Sequence, residues 1–149
     1  MTLDQETELS SAETDALLAR HETGVLSLAR DDEPYAVPVS YGYDPDVGRV
    51  YLRLVTTPDS EKRRFLADAA RASLVVHERD GDCYRSVVAA GRLSEVERDD
   101  LTVEHVERYG DAKRPLFEVW DESRPDLDIT LYRFDPDDLG GRQIQFDSD

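Results

Sequence analysis

The stretch "GVLSLARDDEPYAVPVSYGYDPDVGRVYLRLV", residues 24–55, decides the fold. It holds three runs rich in Val, Leu and Tyr, separated by two clusters of turn residues. "GVLSLAR" (24–30) closes at "DDEP", "YAVPVSYGY" (35–43) at "DPDVG", and "RVYLRLV" (49–55) at "TTP". β-Branched and aromatic side chains suit a pleated surface, while Asp, Pro and Gly supply the φ angles that turns require. Strands joined by such short turns run antiparallel, because a parallel partner needs a crossover of a dozen or more residues. A doubly wound α/β fold is therefore disfavoured.

Outward from this core, "SSAETDALLARH" carries Ser10 and Glu13 at capping-box spacing and predicts a helix over about 11–21. Downstream, "PDSEKRRFLADAARA" has Pro58 near a helix start and an apolar stripe of helical period. "SLVVHER" (73–79), the turn "DGD" and "CYRSVVAAGRLSEVE" (83–97) read as a β-hairpin, with Gly91 marking a bulge or sharp bend. "DDLTVEHVERYG" (99–110) reads as a third helix, "LDITLYRF" (127–134) as a sixth strand, and "DPDDLGGRQIQF" as a short edge strand at most. The sum is a mainly β chain: a six-stranded antiparallel barrel, closed or nearly so, with about three short helices at its ends. Residues 1–149 form one domain, with 1–10 a flexible N-terminus and 143–149 a flexible tail.

The net charge of −16 comes from 34 acids against 18 bases, and of those bases only Lys62 and Lys113 are lysines. Acidic, Arg-for-Lys surfaces fit a salt-adapted (halophilic) cytoplasmic protein; an acidic protein from a GC-rich genome is the rival reading. Such a field repels nucleic acid and anionic membrane, so neither is an expected partner. No apolar run approaches the roughly 18 residues of a membrane span, and the acidic N-terminus is unlike a signal peptide. The lone Cys83 can make no intrachain disulfide and reads as a small buried hydrophobe.

Within "PDSEKRRFLADAARA", a 100° turn per residue puts Phe65, Leu66, Ala69 and Ala70 in one stripe with Lys62 in its middle. Arg63 borders the stripe, and Arg64 points away toward Asp68. A first-turn cation opposes the helix dipole, whereas the free amides there favour an anion. Lys62 makes sense if a phosphate sits at that end, with Ser60 adding a hydroxyl; alternatively its stem covers the edge of the stripe while Glu61 and Asp59 offset its charge. In "YAVPVSYGY", alternation puts Tyr35, Val37, Val39, Tyr41 and Tyr43 on one face and only Ala36, Pro38, Ser40 and Gly42 on the other. That bare face suits either a flat ring lying on the backbone or tight packing. In "RVYLRLV", Arg53 shares a face with Tyr51.

Other motifs carry less. His21, His77 and His105 are too far apart for a metal set, and His77 reads as a packed strand residue. "DPDVG" and "DPDD" lack the closing Glu of a calcium loop. No nucleophile elbow, P-loop or dinucleotide fingerprint occurs.

In order and spacing, "GVLSLARDDEPYAVPVSYGYD", "VYLRL", "DSEKRRFLADAARASLVV", "YRSVVAAGRLSEVE" and "YRFDPDDLGGR" resemble the pyridoxamine 5′-phosphate oxidase-like flavoproteins. These are FMN-binding split β-barrels, and the likeness is to their smaller group that includes nitroimidazole-resistance proteins. It runs from about Ala12 to Arg142. The resemblance implies a homodimer with FMN at the subunit interface and flavin-dependent oxidoreductase chemistry on a small substrate. By position, Val39 and Ser40 would lie along the flavin, and Leu52 and Arg53 would flank its phosphate and ribityl chain. Ser60 and Lys62 would hold the phosphate with Arg63 as helper, and Ser86 would reach the polar edge of the ring. The family's second basic residue before the lysine is replaced by Glu61. Authentic oxidases carry an Arg- and His-bearing C-terminal segment, and "LYRFDPDDLGGRQIQFDSD" has no His, which argues against that specific activity. No catalytic side chain is assigned. The alternatives are a flavin-binding protein without turnover, serving storage or sensing, and the same barrel holding coenzyme F420 or haem.

Overall fold

The structure, a computed structural model, describes residues 2–56, 65–66, 71–96 and 128–147. The elements are β1 (Thr2–Glu8), α1 (Ser11–Arg20), β2 (Thr23–Arg30), β3 (Glu33–Asp44), β4 (Arg49–Thr56), β5 (Arg71–Asp80), β6 (Cys83–Glu95) and β7 (Asp128–Asp147). All pairings are antiparallel. The sheet runs β1-β7-β4-β3-β2-β5-β6, and a further β7–β6 pairing closes six of the strands into a barrel. Closure joins β6 to β7, and β1 extends the wall beyond β7.

The six-stranded barrel is as the sequence predicts, with two additions. The expected sixth strand and the tail are one continuous strand of 20 residues, β7. The two ends, expected to be flexible, pair with each other: Thr2 faces Asp147 and Glu8 faces Arg142. The seventh strand is therefore β1, a polar segment with no hydrophobic pattern. Of the three expected helices, α1 is described. The helix at 99–110 lies outside the described residues, as does the lysine helix apart from Phe65 and Leu66.

Inward residues alternate along each strand: Val39, Tyr41 and Tyr43 on β3, Val50, Leu52 and Leu54 on β4, and Val87 and Ala89 on β6 are all buried. Phe65 joins this core and stacks on Tyr35, with ring centroids 5.1 Å apart. Helix α1 plugs one end of the barrel. Its capping box forms as the spacing predicts, the Glu13 amide donating to Ser10 Oγ at 3.1 Å and the Ser10 amide to Glu13 Oε1 at 3.0 Å. Thr14, Leu17 and Leu18, at helical spacing, face the barrel and are buried. The Tyr41 hydroxyl donates to the Leu18 carbonyl at 2.7 Å and the Tyr43 hydroxyl to Asp15 at 2.5 Å, fixing the helix to β3.

Two local devices hold the wall in register. Asp31 and Asp32, with φ of 48° and 66°, form a two-residue turn whose left-handed pair matches the twist of β2 and β3. At Gly91 the β6–β7 register slips by one residue, the bulge predicted there. A Cβ at Gly91 would lie 2.1 Å from the Asp135 carbonyl oxygen, so only glycine fits. His77, by contrast, is exposed on the outer face of β5 rather than packed.

Candidate functional site: the fork between two strands

Strands β3 and β4 part company. They pair from Asp44↔Arg49 up to Tyr41↔Leu52, and there the register between them ends. Beyond that rung β3 continues against β2 alone, through Ser40↔Thr23 to Glu33↔Arg30. β4 continues against β7 alone, through Arg53↔Leu131 to Thr56↔Asp128. The wall is therefore split on the side of β3 that faces β4.

The sequence of β3 explains the split. The Tyr41 amide donates to the Glu22 carbonyl at 2.9 Å, on the β2 side, so even-numbered residues of β3 direct their main chain toward β4. Two of these are Pro34 and Pro38, which have no N–H to give. A ladder to β4 could not run past them, and the edge loses nothing by being unpaired.

Four of the predicted site residues meet at this fork. Val39 and Leu52 point inward and are buried at 2% and 0% exposure, so only their main chains can face a ligand. Ser40 and Arg53 are the next residues beyond the last shared rung and alternate away from Val39 and Leu52, but Ser40 is itself buried at 4% exposure. Arg53 is half-buried, and it has no ionic or hydrogen-bonding partner among the described residues. Its neighbours on the same face differ: Arg49 Nε lies 2.6 Å from Asp135 Oδ1, and Arg133 Nε 3.3 Å from Asp135 Oδ2. In a chain of net charge −16, Arg53 is thus a cation at the fork with no counter-charge among the described residues. Ser60, Lys62 and Arg63 lie outside the described residues.

Ser86 is placed elsewhere. It lies on the outer face of β6, which is three strands from β3 whichever way the six-stranded wall is followed. Ser86 and the buried Ser40 thus lie on opposite sides of one barrel, and no single small molecule bound to one chain touches both.

Around Ser86 is a cleft of about 420 Å³ beneath the start of α1, bounded by β6 and the far half of β7. The sequence reading passed over it because its parts, Thr14 and Asp15, Val88, and "LGG" (139–141), are distant in the chain. The legible signal was Val88, an apolar residue on an outward-facing position. Nearby, Glu78 closes the barrel mouth. It accepts from Arg20 (both contacts 2.8 Å) and from Arg85 at 2.7 Å, with His21 Nε2 at 2.6 Å. The Arg20 hydrogen bonds, followed by those of His21 and Arg85, hold its carboxyl far below the usual range against the opposing effect of burial.

The family model for pyridoxamine 5′-phosphate oxidase matches residues 10–143. The chain belongs to that family. Among solved structures, the fold is similar to a candidate pyridoxamine 5′-phosphate oxidase of Corynebacterium glutamicum, with 19% identity, a TM-score of 0.70 and 98% of each chain covered. A FAD-binding protein of Mesorhizobium loti is 25% identical at a TM-score of 0.70, covering 95% of this chain and 98% of that one. A FAD- and haem-binding protein of Mycobacterium smegmatis is 18% identical at 0.65, covering 97% and 75%. No curated protein matches the sequence. No described helix is long and apolar enough to cross a membrane.

Proposed function

We propose that this chain is a flavin-dependent oxidoreductase of small substrates, binding FMN at the fork of β3 and β4 as a homodimer. The observation that carries the reading is Arg53: half-buried and without a partner among the described residues at the point where the wall opens, in a strongly acidic protein. Arg53 would hold the phosphate end together with Ser60, Lys62 and Arg63 from the segment that follows β4. Lys62 precedes the core residue Phe65 by three positions, a spacing that in a helix puts both on one face. The bare outer face of β3, with Ala36 and Pro38 exposed and Ser40 beside the fork, would let a flat ring lie on the main chain. The ring's polar edge would be met by Ser86 of the partner subunit, since the same chain's Ser86 faces the other way. The FAD-binding relative at 25% identity supports a flavin in this barrel.

A bound flavin would supply hydride transfer; the chain supplies orientation and electrostatics. Arg53 neutralises the phosphate, and the main chains of Val39 and Leu52 are held still by side chains locked in the core. The absorption spectrum of the protein purified in high salt tests this. A flavin spectrum, bleached by NAD(P)H and restored by an electron acceptor, is the expected result. A flavin that is not reduced marks a binding protein without turnover. A Soret band or a deazaflavin band would replace FMN with haem or F420. A colourless protein that takes up neither FMN nor FAD would overturn the reading.

A further inference from the structure

One row of polar side chains crosses the outer face of the wall at Ser86. His77 on β5 pairs with Ser86 on β6, and Ser86 pairs in turn with Arg142 on β7. The next rung on one side is apolar, with Val75, Val88 and Gly140, and the rung on the other holds Arg79, Tyr84 and Ile144.

The two arginines on these rungs are engaged. Arg142 Nη1 lies 3.1 Å from Glu6 Oε1. Arg79 donates to the Gly81 carbonyl at 3.0 Å and lies over the Tyr84 ring. His77 is exposed and has no hydrogen bond or ion pair among the described residues.

The register brings this imidazole close to Ser86. Counting out from the two-residue turn closed by Asp80↔Cys83, His77 and Ser86 form a non-hydrogen-bonded pair. Side chains stand closest in such pairs, with Cβ atoms about 4.5–5.5 Å apart. A group that meets the Ser86 hydroxyl is therefore within reach of His77.

We propose that His77 sets the reduction potential of the flavin, donating from the partner subunit a hydrogen bond to the polar edge of the ring beside Ser86. The inference rests on the flavin reading above, in which Ser86 of the partner subunit meets that edge. Hydride transfer from NAD(P)H adds two electrons and one proton, leaving NAD(P)+ and one added negative charge on the ring. A donor at the polar edge holds the charged form more tightly than the neutral one, because hydrogen bonds to charged groups are stronger. By linkage, that difference raises the potential. An imidazole serves in either protonation state, since one ring nitrogen carries hydrogen even in the neutral form.

The test compares wild type with His77→Leu and His77→Gln, each loaded with FMN in high salt. The midpoint potential of the bound flavin is read against a reference dye, and oxidised FMN is titrated separately. His77→Leu should lower the potential by about 30 mV, the two-electron equivalent of a tenfold looser hold on reduced relative to oxidised flavin. Oxidised FMN should bind almost as well as before. His77→Gln keeps an N–H donor and should restore part of the shift. Because His77 is exposed, neither variant should lower the denaturation midpoint. FMN bound by both variants at the wild-type potential would overturn this inference and leave the flavin reading intact. Equal losses of oxidised and reduced binding would also overturn it, making His77 a packing residue. No FMN binding by wild type would overturn the flavin reading and this inference with it.

Discussion

Two residues, Arg53 and Glu78, have contrasting surroundings. Arg53 has no partner to lose among the described residues, so Arg53→Gln should leave the denaturation midpoint unchanged while weakening FMN roughly tenfold, read by flavin fluorescence. A large loss of stability with unaltered affinity would make it a structural residue. Glu78 is the opposite case, since three side chains depend on it. Glu78→Gln leaves Arg20 and Arg85 without their counter-charge and should cost about 2 kcal/mol in urea denaturation, between exposed and buried pairs. Because the folded-state carboxyl is depressed, its contribution is complete above the ordinary value of 4.5 and is lost as pH falls toward the lowered one. The gap between wild type and Glu78→Gln should therefore be flat from neutrality to about pH 5 and shrink below it.

At the scale of elements, Gly91 is the position where one methyl group matters most. Gly91→Ala must displace the Asp135 carbonyl or Pro136 and should destabilise by about 2–3 kcal/mol, seen as a lower midpoint with an unchanged m-value. A neutral result would mean that the β6–β7 bulge can move. This bulge, the Ser10 capping box, and strands β2 to β6 were legible because each is written locally, in turn residues, alternation or capping spacing. β7 was not. "DPDDLGG" has the composition of a turn, yet β6 holds it as a strand by placing the register slip beside Pro136 and Asp137. β1 was equally hidden, because its hydrogen-bonding partner stands more than 130 residues away and its side chains give no pattern. At the site, the chain order indicated Val39, Ser40, Leu52 and Arg53. What it could not show is that pairing stops at Tyr41↔Leu52, although Pro34 and Pro38 state the reason. Nor could it show that Ser86 faces away from the others, a fact of barrel closure.

For the molecule as a whole, charge sets the conditions of stability. Raising KCl from about 0.1 M to about 1 M shortens the screening length from about 10 Å to about 3 Å, which should relieve self-repulsion at −16 and raise the melting temperature. A melting temperature that is flat or falls over that range would contradict salt adaptation. The split wall is the other whole-molecule property, for among the described residues it leaves β3 and β4 unpaired beyond Tyr41↔Leu52, beside Arg53. The proposed ligand there has a flat part for the bare strand and an anionic end for Arg53. Comparing FMN with riboflavin by equilibrium titration in high salt isolates that anionic end, since the two differ only in the phosphate. The account predicts saturable FMN binding at one per chain and much weaker riboflavin binding; equal affinities, or no binding of either, would contradict it.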